Sequence, residues 1–146
     1  MIRKIFSRIR YKTIKPFIKG LSLDIGSKWY NEIFDFQCDL HPKHHMIMKE
    51  NIENLSYEDD SFYTVSCLEV LEHVRNPIKA IEEIKRVSKN RIIISIPYEP
   101  MFSVLRLGWE KEHLWALTPK LLKLYLGKPI FKKVLLFRWY IGVWEK

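Results

Sequence analysis

With 146 residues, 47% of them hydrophobic, the chain has the length of one domain and enough apolar side chains for a core, which excludes the disordered class. Its apolar runs, such as the one around Arg91–Pro97, are far too short to span a bilayer, and no signal peptide is visible. The net charge of +8 is uneven: +7 over residues 1–20, −5 over residues 21–99 and +6 over residues 100–146. Basic ends suit either an anionic partner or simple solvation, and no nucleic-acid-binding motif accompanies them. Cys38 and Cys67 make no disulfide framework; both fall in apparent strands, so buried free thiols and a cytoplasmic setting are expected.

In chain order, residues 2–18 read as a basic amphipathic helix, with Ile2, Ile5, Phe6 and Ile9 on one stripe and Pro16 kinking or ending it. That helix either packs on the domain or makes a weak contact with an anionic membrane surface. Residues 1–20 thus form an N-terminal helical segment and 21–146 a compact domain. Leu21–Ile25 alternates as a strand and ends in Gly26. Residues 27–33 have room for a turn or two of helix. Phe34–Leu40 reads as a second strand, and Ile52–Leu55 as a short third. Phe62–Leu68, rich in β-branched and aromatic residues, is the fourth. Asn76-Pro77 is a helix start, an N-cap followed by proline at the first position, with Ala80, Ile84 and Val87 on the inner face. Arg91–Ile96 is the fifth strand. Thr118-Pro119 starts another helix, which Gly127 stops. Ile130–Phe137 and Trp139–Trp144 close the chain as two strands.

This order predicts an α/β fold: a Rossmann-like, doubly wound sandwich with a mostly parallel sheet and a C-terminal antiparallel element. Parallel strands gather polar groups at their carboxyl ends, where α/β proteins bind ligands. Here those ends carry Asp24 and Gly26, then Asp39, then Glu69, Glu72 and His73, then Tyr98. A glycine turn lets a ligand approach the backbone. An acid closing the second strand can accept both hydroxyls of a ribose. The run His41-Pro-Lys-His44-His45 has no spacing of a closed metal site and reads as a solvated loop, so no metal is assigned. Tyr98, Trp109 and Trp115 either line an acceptor pocket or fill a lid.

The motifs in combination resemble the class I S-adenosylmethionine-dependent methyltransferases, type-11-like members in particular, over roughly residues 21–127. Leu-Ser-Leu-Asp-Ile-Gly is similar to the first motif of that family, and Asn51-Ile-Glu-Asn-Leu-Ser-Tyr-Glu-Asp-Asp-Ser-Phe62 to its acidic segment. Cys67-Leu-Glu-Val-Leu-Glu-His-Val-Arg-Asn-Pro77 resembles the motif after its fourth strand, and His113-Leu-Trp-Ala-Leu-Thr118 a late His-to-Thr segment. The resemblance implies S-adenosylmethionine as cofactor. Gly26 and Ser27 would run along its methionine part, with Asp24 beneath the amino group. Asp39 would hold the ribose, Leu40 would flank the adenine, and Asn51 and Ile52 would bind and cover it. Leu68 and Glu69 would lie beside the methyl. It also implies a small-molecule, lipid- or sugar-linked acceptor, with Glu69, His73 and His113 as candidate catalytic bases. One departure stands out: the glycine loop reads Gly26-Ser-Lys-Trp-Tyr30, with only its first glycine, and Asp24 and Asp39 are closer together than is usual. Trp29 or Tyr30 could stack on the sulfonium there. The alternative function is therefore a binding or regulatory module on the same scaffold that has lost catalysis.

Overall fold

The structure is a computed structural model that describes residues 2–97, 113–135 and 139–146, with side chains from residue 7 onward in the first helix. Its strands are β1 (Ser22–Ile25), β2 (Phe36–Asp39), β3 (Met48–Lys49), β4 (Phe62–Leu68), β5 (Ser88–Pro97), β6 (Phe131–Leu135) and β7 (Trp139–Glu145). They form one sheet in the order β3-β2-β1-β4-β5-β7-β6. The first five are parallel, and β7 runs antiparallel between β5 and β6. The expected mostly parallel sheet with an antiparallel C-terminal element is therefore what forms. Because β1 pairs with both β2 and β4, the order reverses there, and the carboxyl ends of β1 and β4 bound the switch point.

Side-chain alternation along the strands builds two cores. Leu23, Ile25, Val65, Cys67, Ile92, Ile94 and Ile96 point to one face. They meet Ala80, Ile81, Ile84 and Val87 of α2 (Pro77–Val87) and Leu122 of α3 (Pro119–Leu126). The intervening Ile93, with Ile141 and Val143, points the other way, onto Ile14 of α1 (Ile2–Ile14), with Tyr11, Phe17 and Ile18 beside it. Arg10 of the same helix lies 5.7 Å from the Trp139 ring centroid. Among the described residues no helix is long and apolar enough to cross a membrane. Both thiols are free and buried.

The two N-caps form as the sequence indicates. Asn76 Oδ1 accepts the Lys79 N–H at 3.0 Å, and Thr118 Oγ1 accepts the Leu121 N–H at 3.2 Å. Asn76→Ala is expected to lower folding stability by about 1 kcal/mol, read as a shift in the urea midpoint at unchanged slope.

Three expectations differ from the structure. The first helix stops at Ile14, and Lys15–Phe17 continues as a single 3-10 turn around Pro16, whose missing N–H cannot extend the ladder. Residues 27–33 form no helix: the buried Gln37 side chain accepts the Asn31 N–H and donates to the Asn31 carbonyl, both at 2.8 Å, and so takes the groups a helix would use. The third strand is Met48–Lys49 rather than Ile52–Leu55. Residues 51–54 instead close a turn, in which Asn51 Oδ1 accepts the Glu53 N–H at 3.0 Å and the Asn51 carbonyl accepts the Asn54 N–H at 2.9 Å. Ile52 and Leu55 drop from this turn into the core.

Candidate functional site

The turn after β1 is built around Gly26, at φ +82°. The Gly26 and Ser27 N–H groups both donate to the Cys38 carbonyl, at 2.7 and 3.1 Å, which fastens the turn to β2. A Cβ on Gly26 would fall 2.2 Å from Val70 Cγ2, so the turn also sits directly against the loop after β4. Asp24, 2% exposed, lies on the α1 face of the sheet. Its carboxylate accepts hydrogen bonds from the hydroxyls of Ser27, of Ser66 and, at 3.2 Å, of Tyr11. Ser66 is its register partner on β4. Burial pushes the Asp24 carboxyl up to about 6, and the three hydroxyl donors hold it from going further. Burial, and next the Asp24 charge, push the Tyr11 phenol upward as well, so it stays a donor.

Asp39 closes β2 half-buried; its Oδ1 accepts the His41 N–H at 2.7 Å, and the other oxygen can accept from a ligand. Leu40 is exposed beside it. Asn51 is exposed, with its amide oxygen engaged in its own turn, whereas Ile52 is buried. Of the shortened glycine loop, Trp29 is 67% exposed and Tyr30 stacks on His44 with ring centroids 5.2 Å apart.

At the end of β4, Leu68 is half-buried against the α1-side core. Glu69 takes the left-handed conformation, φ +58°, which is costly for a non-glycine residue and recurs where surrounding structure fixes a functional group. It is fixed here by β5: the Glu69 N–H donates to the Ser95 carbonyl at 3.1 Å, and the Ser95 hydroxyl donates to Glu69 Oε1 at 2.7 Å. The following loop is held by Glu53, whose Oε1 accepts the N–H groups of Arg75 and Asn76 at 2.8 and 3.0 Å. Residues 113–115 are pinned across it: the Leu114 N–H donates to the Glu72 carbonyl at 2.8 Å and Trp115 Nε1–H to the Val74 carbonyl at 2.9 Å. This brings the His73 and His113 rings to 4.8 Å. Tyr98 and Trp109 lie outside the described residues.

The structure thus gathers Asp24, Gly26 and Ser27 on one side of the switch point, and Leu68, Glu69, His73 and His113 on the other. Asp39, Leu40, Asn51 and Ile52 follow across β2 and β3. A family model described as a methyltransferase domain matches residues 31–95, which run from just after the glycine loop into β5. Over those residues the chain is similar to the class I S-adenosylmethionine-dependent methyltransferases. The chemistry of this family is methyl transfer, and its cofactor is S-adenosylmethionine.

The methyltransferase fold recurs in solved structures. One is an S-adenosylmethionine-dependent methyltransferase from Archaeoglobus fulgidus, at TM-score 0.74 and 14% identity over 97% of this chain and 93% of that one. Another is the magnesium protoporphyrin IX methyltransferase of Synechocystis with bound S-adenosylhomocysteine, at TM-score 0.67 and 14% identity over 99% and 82%. A Thermotoga maritima S-adenosylmethionine-dependent methyltransferase gives TM-score 0.66 at 15% identity over 99% and 97%. An uncharacterized protein of Methanocaldococcus jannaschii is 49% identical over 41 residues, 28% of this chain and 18% of that relative's length.

Several members of this candidate site escape a reading of the sequence alone. Tyr11, Ser66, Val70 and Ser95 belong to it only because of strand register and helix packing. Glu72 is visible in the sequence as part of the polar crest, but nothing in the local pattern shows that it turns inward beside two histidines.

Proposed function

We propose that this chain transfers the methyl group of S-adenosylmethionine to a small-molecule, lipid- or sugar-linked acceptor, in the cytoplasm. The observation that carries the reading is the switch point itself, with a glycine turn at the end of β1 facing a loop that holds Glu69 in a strained conformation at the end of β4. The residues fit the cofactor. Gly26, at φ +82°, carries no side chain at the end of β1, which leaves its backbone bare toward a ligand. Asp39 offers a carboxylate at the end of the adjacent strand, where a ribose binds in dinucleotide folds. Gly26 and Ser27 would hold the methionine part over Asp24. Asp39 would hold the ribose, with Leu40, Asn51 and Ile52 around the adenine, and Leu68 and Glu69 beside the methyl. When bound, the cofactor supplies a methyl group already activated on a sulfonium sulfur. The protein's task is then alignment and exclusion of water, with a base needed only for a proton of high pKa. Glu69, anchored by Ser95, is the base the geometry favours.

Calorimetry with S-adenosylmethionine and S-adenosylhomocysteine tests the reading, and no binding of either at millimolar concentration would sink it. Asp39→Ala is expected to weaken S-adenosylhomocysteine binding by about 1–3 kcal/mol, through loss of the ribose acceptor. Unchanged affinity in a folded variant would remove the ribose from that position.

A second reading, a module that has lost catalysis, is supported by the glycine loop. Both turn N–H groups are spent on the Cys38 carbonyl, and the Gly26 turn packs directly on Val70. It predicts that S-adenosylhomocysteine binds without any turnover of S-adenosylmethionine across a panel of hydroxyl, amine and thiol acceptors.

A further inference from the structure

The loop after β4 carries a second arrangement, made of Glu72, His73 and His113. One carboxylate oxygen and one ring nitrogen from each histidine all lie within 4.8 Å of one another, and Glu72 Oε1 is 3.8 Å from His73 Nε2. Three ligand atoms at about 2.0–2.2 Å from a shared ion would be roughly 3.0–3.5 Å apart, so closure on a metal asks for side-chain movements of about 1 Å. The backbone already holds the frame. The Leu114 N–H bond to the Glu72 carbonyl and the Trp115 indole bond to the Val74 carbonyl fix the two segments, some forty residues apart in sequence, on either side of the cluster.

The three groups differ in a way that suits a metal. Glu72 is 1% exposed, which places one carboxylate ligand out of solvent at the base of the cluster. The His73 side chain is 37% exposed, which leaves an approach from solvent. Two imidazoles and one carboxylate select a borderline transition ion such as Zn²⁺, Mn²⁺ or Co²⁺ over Mg²⁺ or Ca²⁺, which prefer all-oxygen sets. Three protein ligands also leave coordination positions open, as catalytic rather than structural metal sites do.

We infer that Glu72, His73 and His113 bind one divalent transition-metal ion, and that its open positions receive the hydroxyl of the methyl acceptor. The second half of this inference rests on the proposed methyl transfer. The site lies three residues past Glu69, at the same end of β4, so an oxygen on the ion would be presented at the switch point. Coordination lowers the pKa of the hydroxyl; its proton leaves to water, and the oxygen retains the electron pair that a methyl acceptor needs. The histidines then act as ligands rather than as bases, and a free alcohol or phenol becomes a suitable substrate without a strongly basic side chain.

The test is metal binding by the whole chain, stripped with a chelator and then titrated with Zn²⁺ or Co²⁺, with the bound ion counted after dialysis and the visible bands of Co²⁺ recorded. Calorimetry with S-adenosylhomocysteine is run on the same samples. One ion per chain is expected, with affinity falling at least 100-fold in His113→Ala and in Glu72→Gln and unchanged in His44→Ala, which removes a histidine of the exposed His41–His45 loop. Binding of S-adenosylhomocysteine by His113→Ala at wild-type affinity would show that the cofactor half is intact. Should His113→Ala fail to fold, His73→Ala, on the more exposed ring, carries the same comparison. No stoichiometric ion in the wild type, or equal affinity in His113→Ala and wild type, would overturn the inference even where S-adenosylhomocysteine binds. A stoichiometric ion without any cofactor binding would keep the metal site and overturn the acceptor role with the methyl-transfer reading.

Discussion

Replacing Gly26 with alanine is expected to destabilise the protein by about 2–5 kcal/mol, because two independent penalties fall on one methyl group. At φ +82° an L-residue brings its Cβ against its own backbone, which costs roughly 1–2 kcal/mol. The same Cβ would lie 2.2 Å from Val70 Cγ2, far inside van der Waals contact, and overpacking of this kind costs about 1–3 kcal/mol. The turn cannot easily retreat, since its two N–H groups are fastened to the Cys38 carbonyl. The two penalties separate in a double variant. Val70→Ala in the Gly26→Ala background should recover the steric part and leave the conformational part, so the double variant is more stable than Gly26→Ala but less stable than Val70→Ala alone. Urea unfolding of the four proteins measures this; a Gly26→Ala stability within 0.5 kcal/mol of wild type, on the order of an ordinary surface change, would mean that the turn is not built as described. The cofactor prediction follows the same geometry: if the methionine part runs along this turn, whatever folded Gly26→Ala remains should bind S-adenosylhomocysteine more weakly.

The sequence makes some parts of this architecture readable and hides others for identifiable reasons. Asn76-Pro77 and Thr118-Pro119 mark helix starts because capping is local chemistry, completed within three residues. Phe62–Leu68 is legible because its composition suits a buried strand whichever neighbours it has. The short third strand is misplaced because Ile52 and Leu55 look like strand residues, whereas their burial comes from the turn that Asn51 caps. Of the site, Asp24, Gly26, Asp39 and Glu69 stand out because each ends a strand. Ser66 and Ser95 do not, because their roles depend on facing Asp24 across β1–β4 and Glu69 across β4–β5, a register that no local pattern encodes. The meeting of Glu72 and His73 with His113 is hidden for the same reason: it is made by two backbone-directed hydrogen bonds between distant segments.

Asp24 gives a large expected dependence of stability on pH. Its carboxyl has an ordinary value near 3.8 when exposed and is pushed up to about 6 in the fold. Between those values the unfolded chain has lost the proton while the folded protein still holds it. Stability contributed by this group therefore falls as pH rises from about 4 to about 6, and is constant above that. A shift of this size corresponds to about 3 kcal/mol at 1.36 kcal/mol per unit. Asp24→Asn keeps the shape and cannot ionise, and the Ser27, Ser66 and Tyr11 hydroxyls can rotate to donate to its oxygen or accept from its nitrogen. The two proteins will differ by some fixed amount that reflects those rearranged bonds. On top of it, the difference in unfolding free energy should move by roughly 2.5 kcal/mol in favour of Asp24→Asn between pH 4 and pH 7, as measured by urea titrations at each pH. Glu83 is held below its usual range chiefly by hydrogen bonding to Arg86, but it is common to both proteins and cancels in the difference. Parallel stability curves for the two proteins would show that the Asp24 carboxyl is not shifted. A change of the opposite sign would mean that the three hydroxyl donors outweigh burial and hold the group ionised.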